Sequence, residues 1–376
     1  MGSEMCIRDR YIPFDFMQEG LSELGDYGID VEVRHWRHDD LFGLQQDNLA
    51  IETGGPDAVE LPDSITRDLD SFDIVVVQFA PISSSFIERA RNLKLIGVLR
   101  GGVENVAVET ATQKGVSVMS TPGRNARAVA ECTMGMILAE IRNIARSHAD
   151  LKRNNWHRSF PNSEAIPELY GKTVGLVGYG AVGRLVAGYL EAFGSRVIAF
   201  DPYVSGQKRV EGVPPSNRGQ DARDAGDPHS ASDPSSVKMV GLDFLLRNSD
   251  VVSLHARLTD ESYHLIGEKE LAVMKPTAVL INTARSGLVD EPALVRALDD
   301  KRIAGAALDV FDEEPLPDDH PLVRLENVTI TAHLAGSTID SFKNSPRIMA
   351  GHLKNCLTGG ENLPIINGIR PSLTAG

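Results

Sequence analysis

The chain has 376 residues, 42% of them hydrophobic and 24% charged, and carries a formal net charge of −14. Its length calls for two domains, and its composition is that of a globular protein. The acidic balance argues against a nucleic-acid partner, which needs clustered Lys and Arg. Cys6, Cys132 and Cys356 show neither metal-ligand spacing nor a disulfide framework, and no apolar run reaches membrane-spanning length. The expectation is a cytoplasmic protein with a small ligand, no metal and no membrane contact.

In chain order, residues 1–10 stand apart. The run MCIRDR at 5–10 reads as a translated sequencing-library adapter, so 1–10 is set aside as a non-native leader. A helix is predicted over 14–24 and a strand over 31–33, and 39–70 is polar with short apolar interruptions. Residues 72–79, with IVVVQF at their centre, read as a buried strand. A helix at 88–92 leads to a strand at 95–99, which runs into Arg100-Gly101-Gly102. After a strand at 116–119 and a turn at 121–125, one long helix is predicted from about 126 to 154, a connector between domains. Trp156, His157 and Phe160 follow in a polar loop and read as packing or an oligomer contact.

The stretch 173–201, TVGLVGYGAVGRLVAGYLEAFGSRVIAFD, organises the rest. It reads as strand, glycine turn (Gly178, Gly180, Gly183), amphipathic helix, second strand and acid, the layout of a dinucleotide-binding βαβ unit. Gly178 permits the tight turn, Gly180 lets a pyrophosphate approach the backbone, and Gly183 lets helix and strand pack closely. The helix N-terminus offers unpaired N–H groups to phosphates. Asp201, about 18 residues past Gly183, is placed to accept both ribose hydroxyls. A 2′-phosphate about 4 Å away would meet a repulsion of about 4 kcal/mol at an effective dielectric of about 20, which favours NAD over NADP.

Residues 205–240 are rich in Pro, Ser, Asp and Gly and read as a mobile loop. A short helix is predicted from 242, and strands at 250–254, 277–281, 305–310 and 328–331, with a helix at 292–299. His255, Asn282–Arg285, Asp309 and His333 therefore stand at strand C-terminal ends, where ligands bind in open parallel sheets.

The motifs GYGAVG (178–183), INTARSGLVDE (281–291), AGAALDVFDEEPLP (304–317) and TAHLAGST (331–338) together resemble the D-isomer-specific 2-hydroxyacid dehydrogenase family, in its phosphoglycerate-dehydrogenase-like branch. GGVENV (101–106) and TPGRNARAVAE (121–131) add to it, and the resemblance covers roughly 11–359 apart from 205–240. It implies Arg285, Glu314 and His333 as the catalytic set. Histidine suits the proton exchange, a neighbouring carboxylate orients and charges it, and arginine binds the substrate carboxylate. It further implies that Gln78, Gly101 and Gly102 meet the substrate and that Ala181 and Val182 touch the pyrophosphate. His255, Ala256, Thr283, Ala284 and Asp309 would line the nicotinamide and ribose side, with Asp309 accepting from the carboxamide. The chain departs from the family pattern at Ser286, Ala332 and Arg257, where Gly, Pro and Pro are common; Ser286 and Arg257 bear on pocket shape and charge.

The expected architecture is α/β, two Rossmann-like domains with parallel sheets and an active-site cleft between them. The substrate domain is discontinuous (11–122 and 337–376), and 123–336 binds NAD. The family's first strand falls on the suspected adapter, so the substrate domain would lack it or use a foreign substitute. No regulatory domain is expected after His333, and a homodimer is expected from the resemblance and the long helix. The function implied is hydride transfer between a D-2-hydroxy acid and NAD, giving the 2-keto acid. The rival on the same fold is an NAD-sensing, corepressor-like binding protein.

Overall fold

The structure, a computed structural model, describes residues 2–8, 12–162, 167–204 and 237–373. The chain divides into two compact units, Met1–Arg124 with Thr338–Gly376, and Asn125–Ser337.

The first unit holds strands β1 (Gly2–Arg8), β2 (Ile29–His35), β3 (Ile74–Val77), β4 (Leu95–Val98) and β5 (Ser117–Ser120), with helices α1 (Phe14–Leu21), α2 (Leu41–Gly54), α3 (Asp63–Thr66), α4 (Ser84–Arg89) and α5 (Val108–Gln113). They form a parallel sheet of order β2-β1-β3-β4-β5. Short, wholly buried strands such as Ile74–Val77 bury both faces, as a parallel sheet covered by helices requires. Val75, Val77, Ile96 and Val98 pack to one side, Ile74, Val76 and Leu95 to the other.

Residues 2–8, set aside on sequence grounds, form β1 between β2 and β3, with Cys6 paired to Val33 and Val76. The segment thus fills the strand position that the sequence reading left in question. Met5, Cys6 and Ile7 are fully buried, and so is Glu4, whose Oε1 lies 3.0 Å from the Cys6 Sγ. Burial pushes the Glu4 carboxyl up to about 7. Two elements of this unit differ from the expectation. Helix 14–24 ends at Leu21 and tightens into a 3₁₀ stretch, Ser22–Tyr27. The polar span 39–70 contains α2, capped by Asp40, whose Oδ1 accepts from the Gly43 N–H at 2.8 Å.

The second unit begins with α6 (Ala126–Ile141) and α7 (Ile144–Lys152). The predicted single helix is broken because Asn143 takes a left-handed φ of 56°. Arg146 holds the break: Nη1 donates to the Glu140 carbonyl (3.1 Å) and to Asn143 Oδ1 (3.0 Å), while Nη2 pairs with the buried Glu140 carboxylate at 2.6 Å. Strands β6 (Thr173–Val177), β7 (Arg196–Phe200), β8 (Lys238–Met239), β9 (Val251–Leu254), β10 (Val279–Asn282), β11 (Gly305–Leu308) and β12 (Val328–Ile330) make a seven-stranded parallel sheet. Its order is β12-β11-β10-β9-β6-β7-β8. Helices α8 (Ala181–Ala192), α9 (Leu242–Asn248), α10 (Glu268–Val273), α11 (Glu291–Asp299) and α12 (Pro321–Arg324) complete the unit.

Of the loop expected at 205–240, residues 205–236 lie outside the described residues, whereas Lys238–Met239 forms the edge strand β8 beside β7. After the second unit, α13 (Ile339–Leu357) returns to the first. Its N-terminus is capped by Thr338, whose Oγ1 accepts from the Ser341 N–H at 3.1 Å. It packs on α1 at Gly20, where a Cβ would stand 2.6 Å from that of Pro346. Among the described residues no helix is long and apolar enough to cross a membrane.

Candidate active site

Gly178 ends β6 with a φ of 100°, and a Cβ there would lie 2.5 Å from the backbone of His255 and Ala256. Only glycine meets both conditions. A Cβ on Gly183 would fall 2.3 Å from the Gly178 carbonyl oxygen, so this glycine lets α8 close on the turn. Gly180 differs, because a Cβ there would meet nothing within 4 Å. Its missing side chain serves no internal packing and leaves the backbone open to an approaching ligand. Gly180 is also the N-cap of α8, with no side chain satisfying the N–H groups of Ala181, Val182 and Gly183.

Asp201 follows β7 directly. Its Oδ2 accepts from the Tyr179 N–H at 2.8 Å and its Oδ1 from the Tyr203 N–H at 2.9 Å. The acid is thereby pinned beside the glycine turn. At the end of β9, His255 Nε2 is 3.0 Å from Ser253 Oγ, while its Nδ1 has no hydrogen-bond partner. Burial holds the His255 pKa down to about 4, so the ring is neutral at physiological pH. An open helix N-terminus, an acid beside it and an orphaned imidazole nitrogen fit a dinucleotide. Gly178, Gly180, Ala181, Val182 and Gly183 would meet its pyrophosphate, and Asp201 a ribose.

The ionisable cluster lies farther along the same sheet. His333 Nδ1 is 2.7 Å from Glu314 Oε2, and Glu314 Oε1 accepts from the Phe311 N–H at 3.0 Å. With Nδ1 turned to the carboxylate, the neutral ring carries its proton there and leaves Nε2 as the unprotonated, accepting nitrogen. The hydrogen bond to Glu314 is the main cause that raises the His333 pKa; burial and the charge of Arg285 oppose it, and Asp309 assists. For Glu314, burial would raise the pKa. The His333 bond and charge, the Phe311 N–H and the Arg285 charge outweigh it and leave it lowered. Arg285 thus lies within electrostatic reach of both. It is exposed, with Nη1 donating to its neighbour's carbonyl, that of Ala284, at 2.7 Å.

Asn282, given no role from the sequence, and Asp309 both shape this cluster. Asn282, buried at the end of β10, donates from Nδ2 to the Arg285 carbonyl at 2.8 Å and accepts the Ala284 N–H at 3.1 Å. Its signal is a polar residue closing an apolar strand just before the arginine. His333 has a φ of 49°, a conformation that costs about 1–2 kcal/mol outside glycine. Asp309 sustains it by accepting from the Leu334 N–H (3.0 Å), the Ala335 N–H (2.9 Å) and Thr331 Oγ1 (2.5 Å). These three bonds use both oxygens of the Asp309 carboxylate to brace the His333 segment. Thr283 Oγ1 lies 2.7 Å from Thr133 Oγ1, which ties the end of β10 to α6.

The second unit thus gathers Arg285, Glu314, His333 and Asp309, and separately the glycine turn with Asp201, His255 and Ala256. Gln78, Gly101 and Gly102 belong to the first unit. Gln78, just after β3, is buried with both amide atoms unpartnered. Arg100 stacks over Phe79, 4.7 Å from its centroid, and pairs with Glu104 at 3.1 Å. Among the described residues no group of His, Cys, Asp and Glu could hold a metal ion.

The family model described as "D-isomer specific 2-hydroxyacid dehydrogenase, NAD binding domain" matches residues 134–218 and 222–335. The chain is 37% identical to a D-3-phosphoglycerate dehydrogenase of Methanocaldococcus jannaschii, over 82% of this chain and 55% of the relative. It is 38% identical to a glyoxylate reductase of Thermofilum pendens, over 76% and 78%. It thus spans about half the length of the first of these relatives. A D-isomer specific 2-hydroxyacid dehydrogenase of Lactobacillus delbrueckii, solved with NAD, shares the fold at a TM-score of 0.72, covering 97% of this chain and 100% of that one at 23% identity. With the glycine turn, the acid after β7 and the histidine–carboxylate pair all on the matched sheet, the chain belongs to the D-isomer-specific 2-hydroxyacid dehydrogenase family, and its second unit carries that family's NAD-binding domain.

Proposed function

We propose that the protein is an NAD-dependent oxidoreductase that interconverts a D-2-hydroxy acid and its 2-keto acid. The observation that carries this reading is the His333–Glu314 pair at 2.7 Å, with Nε2 of the ring left as the base. A bound nicotinamide would supply the hydride chemistry at C2 of the acid, in either direction. His333 Nε2 takes the hydroxyl proton during oxidation and gives it back during reduction. Glu314 stabilises the imidazolium that forms, and Arg285 offers guanidinium N–H donors to the substrate carboxylate and to the developing carbonyl charge. Gln78, Gly101 and Gly102 are assigned to substrate contact, and His255, Ala256, Thr283, Ala284 and Asp309 to the nicotinamide and ribose. Asp201 favours NAD, since a 2′-phosphate beside this pinned carboxylate is repelled.

The test is a panel of 2-hydroxy and 2-keto acids, glyoxylate, hydroxypyruvate and phosphohydroxypyruvate included, followed by nicotinamide absorbance. Arg285→Ala and His333→Ala are expected to lose about 10²–10⁴-fold in kcat/KM while NADH fluorescence titration shows retained binding. Tight NAD binding without turnover across the panel would overturn the enzyme reading in favour of an NAD-sensing binding protein.

A homodimer is part of the same proposal. Ile144 and Leu151 on α7, and Trp156 just beyond it, are 56%, 48% and 81% exposed, an apolar surface suited to a second copy of the chain. Light scattering is expected to give twice the chain mass, and Trp156→Glu to shift it toward the monomer.

A further inference from the structure

The segment 311–320 carries Glu314 from the end of β11 to the start of α12, and both of its ends are tied to one carboxylate. That carboxylate belongs to Glu291, the first residue of α11. Glu291 Oε2 accepts from the Asp312 N–H at 3.2 Å, and its Oε1 lies 3.1 Å from His320 Nε2. The other ring nitrogen of His320, Nδ1, accepts from the Leu322 N–H at 3.3 Å and so caps α12. That bond fixes the tautomer of the neutral ring: the proton sits on Nε2 and is donated to Glu291. The Glu291 and His320 side chains are only 12% and 18% exposed, so water competes weakly for these bonds. Glu314 itself is 36% exposed at the side chain and stands on a loop with Pro315 and Pro317. Apart from His333, its carboxylate bonds locally, Oε1 accepting from the Phe311 N–H at 3.0 Å, so where the carboxylate points follows where the loop is held.

We propose that Glu291 and His320 form a positioning clamp that holds the Glu314 loop so that its carboxylate stays on His333 Nδ1. The clamp makes no contact with the reacting atoms and acts through Glu314, whose bond to the ring weakens steeply with distance and angle. A second histidine–carboxylate pair thereby governs how tightly the first is coupled. The inference rests on the reading of His333 and Glu314 as the proton-transfer pair. Other charges bear on both ends. At Glu291 burial and the Asp312 carboxylate oppose ionisation and leave the pKa raised, while the Asp312 N–H and His320 favour it; at His333 the Glu314 bond and Asp309 favour the charged ring, while burial and Arg285 oppose it.

The test separates the clamp from simple packing and from turnover. His320→Asn keeps a side-chain acceptor for the α12 cap but falls short of Glu291. Glu291→Gln keeps the shape, yet its single acceptor atom cannot serve both Asp312 and His320, so it provides an independent variant. The imidazole pKa of His333 is followed by NMR in the full chain, with Glu314→Gln as the benchmark for complete uncoupling. Both clamp variants are expected to lower it most of the way to that benchmark, and His320→Asn is expected to change nothing further in the Glu314→Gln background. In 2-keto acid reduction kcat should fall about three- to tenfold with an unchanged KM for NADH. A His333 titration identical to the wild type in both clamp variants, or a shift equally large in the Glu314→Gln background, overturns the clamp. Absence of turnover in the wild type, with the NMR shifts present, refutes the proposed reaction and leaves the clamp standing.

Discussion

His333 is held in a left-handed backbone conformation by hydrogen bonds that converge on Asp309 from the residues around it. Asp309→Ala is therefore expected to lower kcat by about tenfold or more and to cost about 1–3 kcal/mol, since buried donors lose their acceptor. Kinetics and urea unfolding check the two parts. The sign of the pH dependence follows from Glu314. On the proposed mechanism keto-acid reduction draws its proton from His333, so its rate is expected to fall as pH rises through the His333 pKa, which Glu314 raises. Glu314→Gln should move that alkaline limb to lower pH, as a kcat/KM profile will show. Glu4 has the opposite consequence, for stability. Its carboxyl is pushed from 4.5 to about 7 in the folded chain, so the native state binds the proton more tightly than the unfolded state. Stability then declines as pH rises from about 4.5 to about 7 and levels off above, by an amount on the order of 3 kcal/mol. Glu4→Gln should remove this decline, seen as a gain over the wild type at pH 8 that vanishes near pH 4.

Among the elements, the glycine turn between β6 and α8 was legible in the sequence because its demands are local. A positive φ, a close approach and an open helix end each select glycine at a set spacing. Gly178→Ala should abolish NAD binding and destabilise the second unit by about 2–4 kcal/mol, because the added carbon meets the backbone of His255 and Ala256. Calorimetric NAD titration and thermal unfolding test it. The break between α6 and α7 was not legible, since Ala126 to Lys152 reads as continuous helix. It depends on Arg146 reaching back to Glu140, whose other carboxylate oxygen accepts from Thr329 Oγ1 on β12 at 2.7 Å. Arg146→Ala would leave Glu140 buried and unpaired, at a cost of about 3–5 kcal/mol in urea unfolding. Helix α2 was hidden for another reason: Leu44 and Ile51 are buried while Phe42 and Leu49 are exposed, so its apolar residues do not form one stripe.

At the scale of the molecule, two parallel sheets with separate cores follow from the alternation of buried apolar strands with helices, a pattern that can be read residue by residue. So can the nucleotide turn, whereas Arg285, Glu314 and His333 were singled out by the resemblance of contiguous motifs to the family, and their roles belong to the proposed function. Long-range pairing supplies the rest. Residues 2–8 read as foreign to the fold yet take an interior strand between β2 and β3, because their alternate side chains fill the cores on both faces of the sheet, even at the expense of burying Glu4. The facing of Glu314 onto His333, the bracing of His333 by Asp309 and the tie from Glu291 to His320 join residues on different segments that follow β10, β11 and β12. Their orientation is set by hydrogen bonds between segments far apart in the chain, and such bonds leave no period in the sequence.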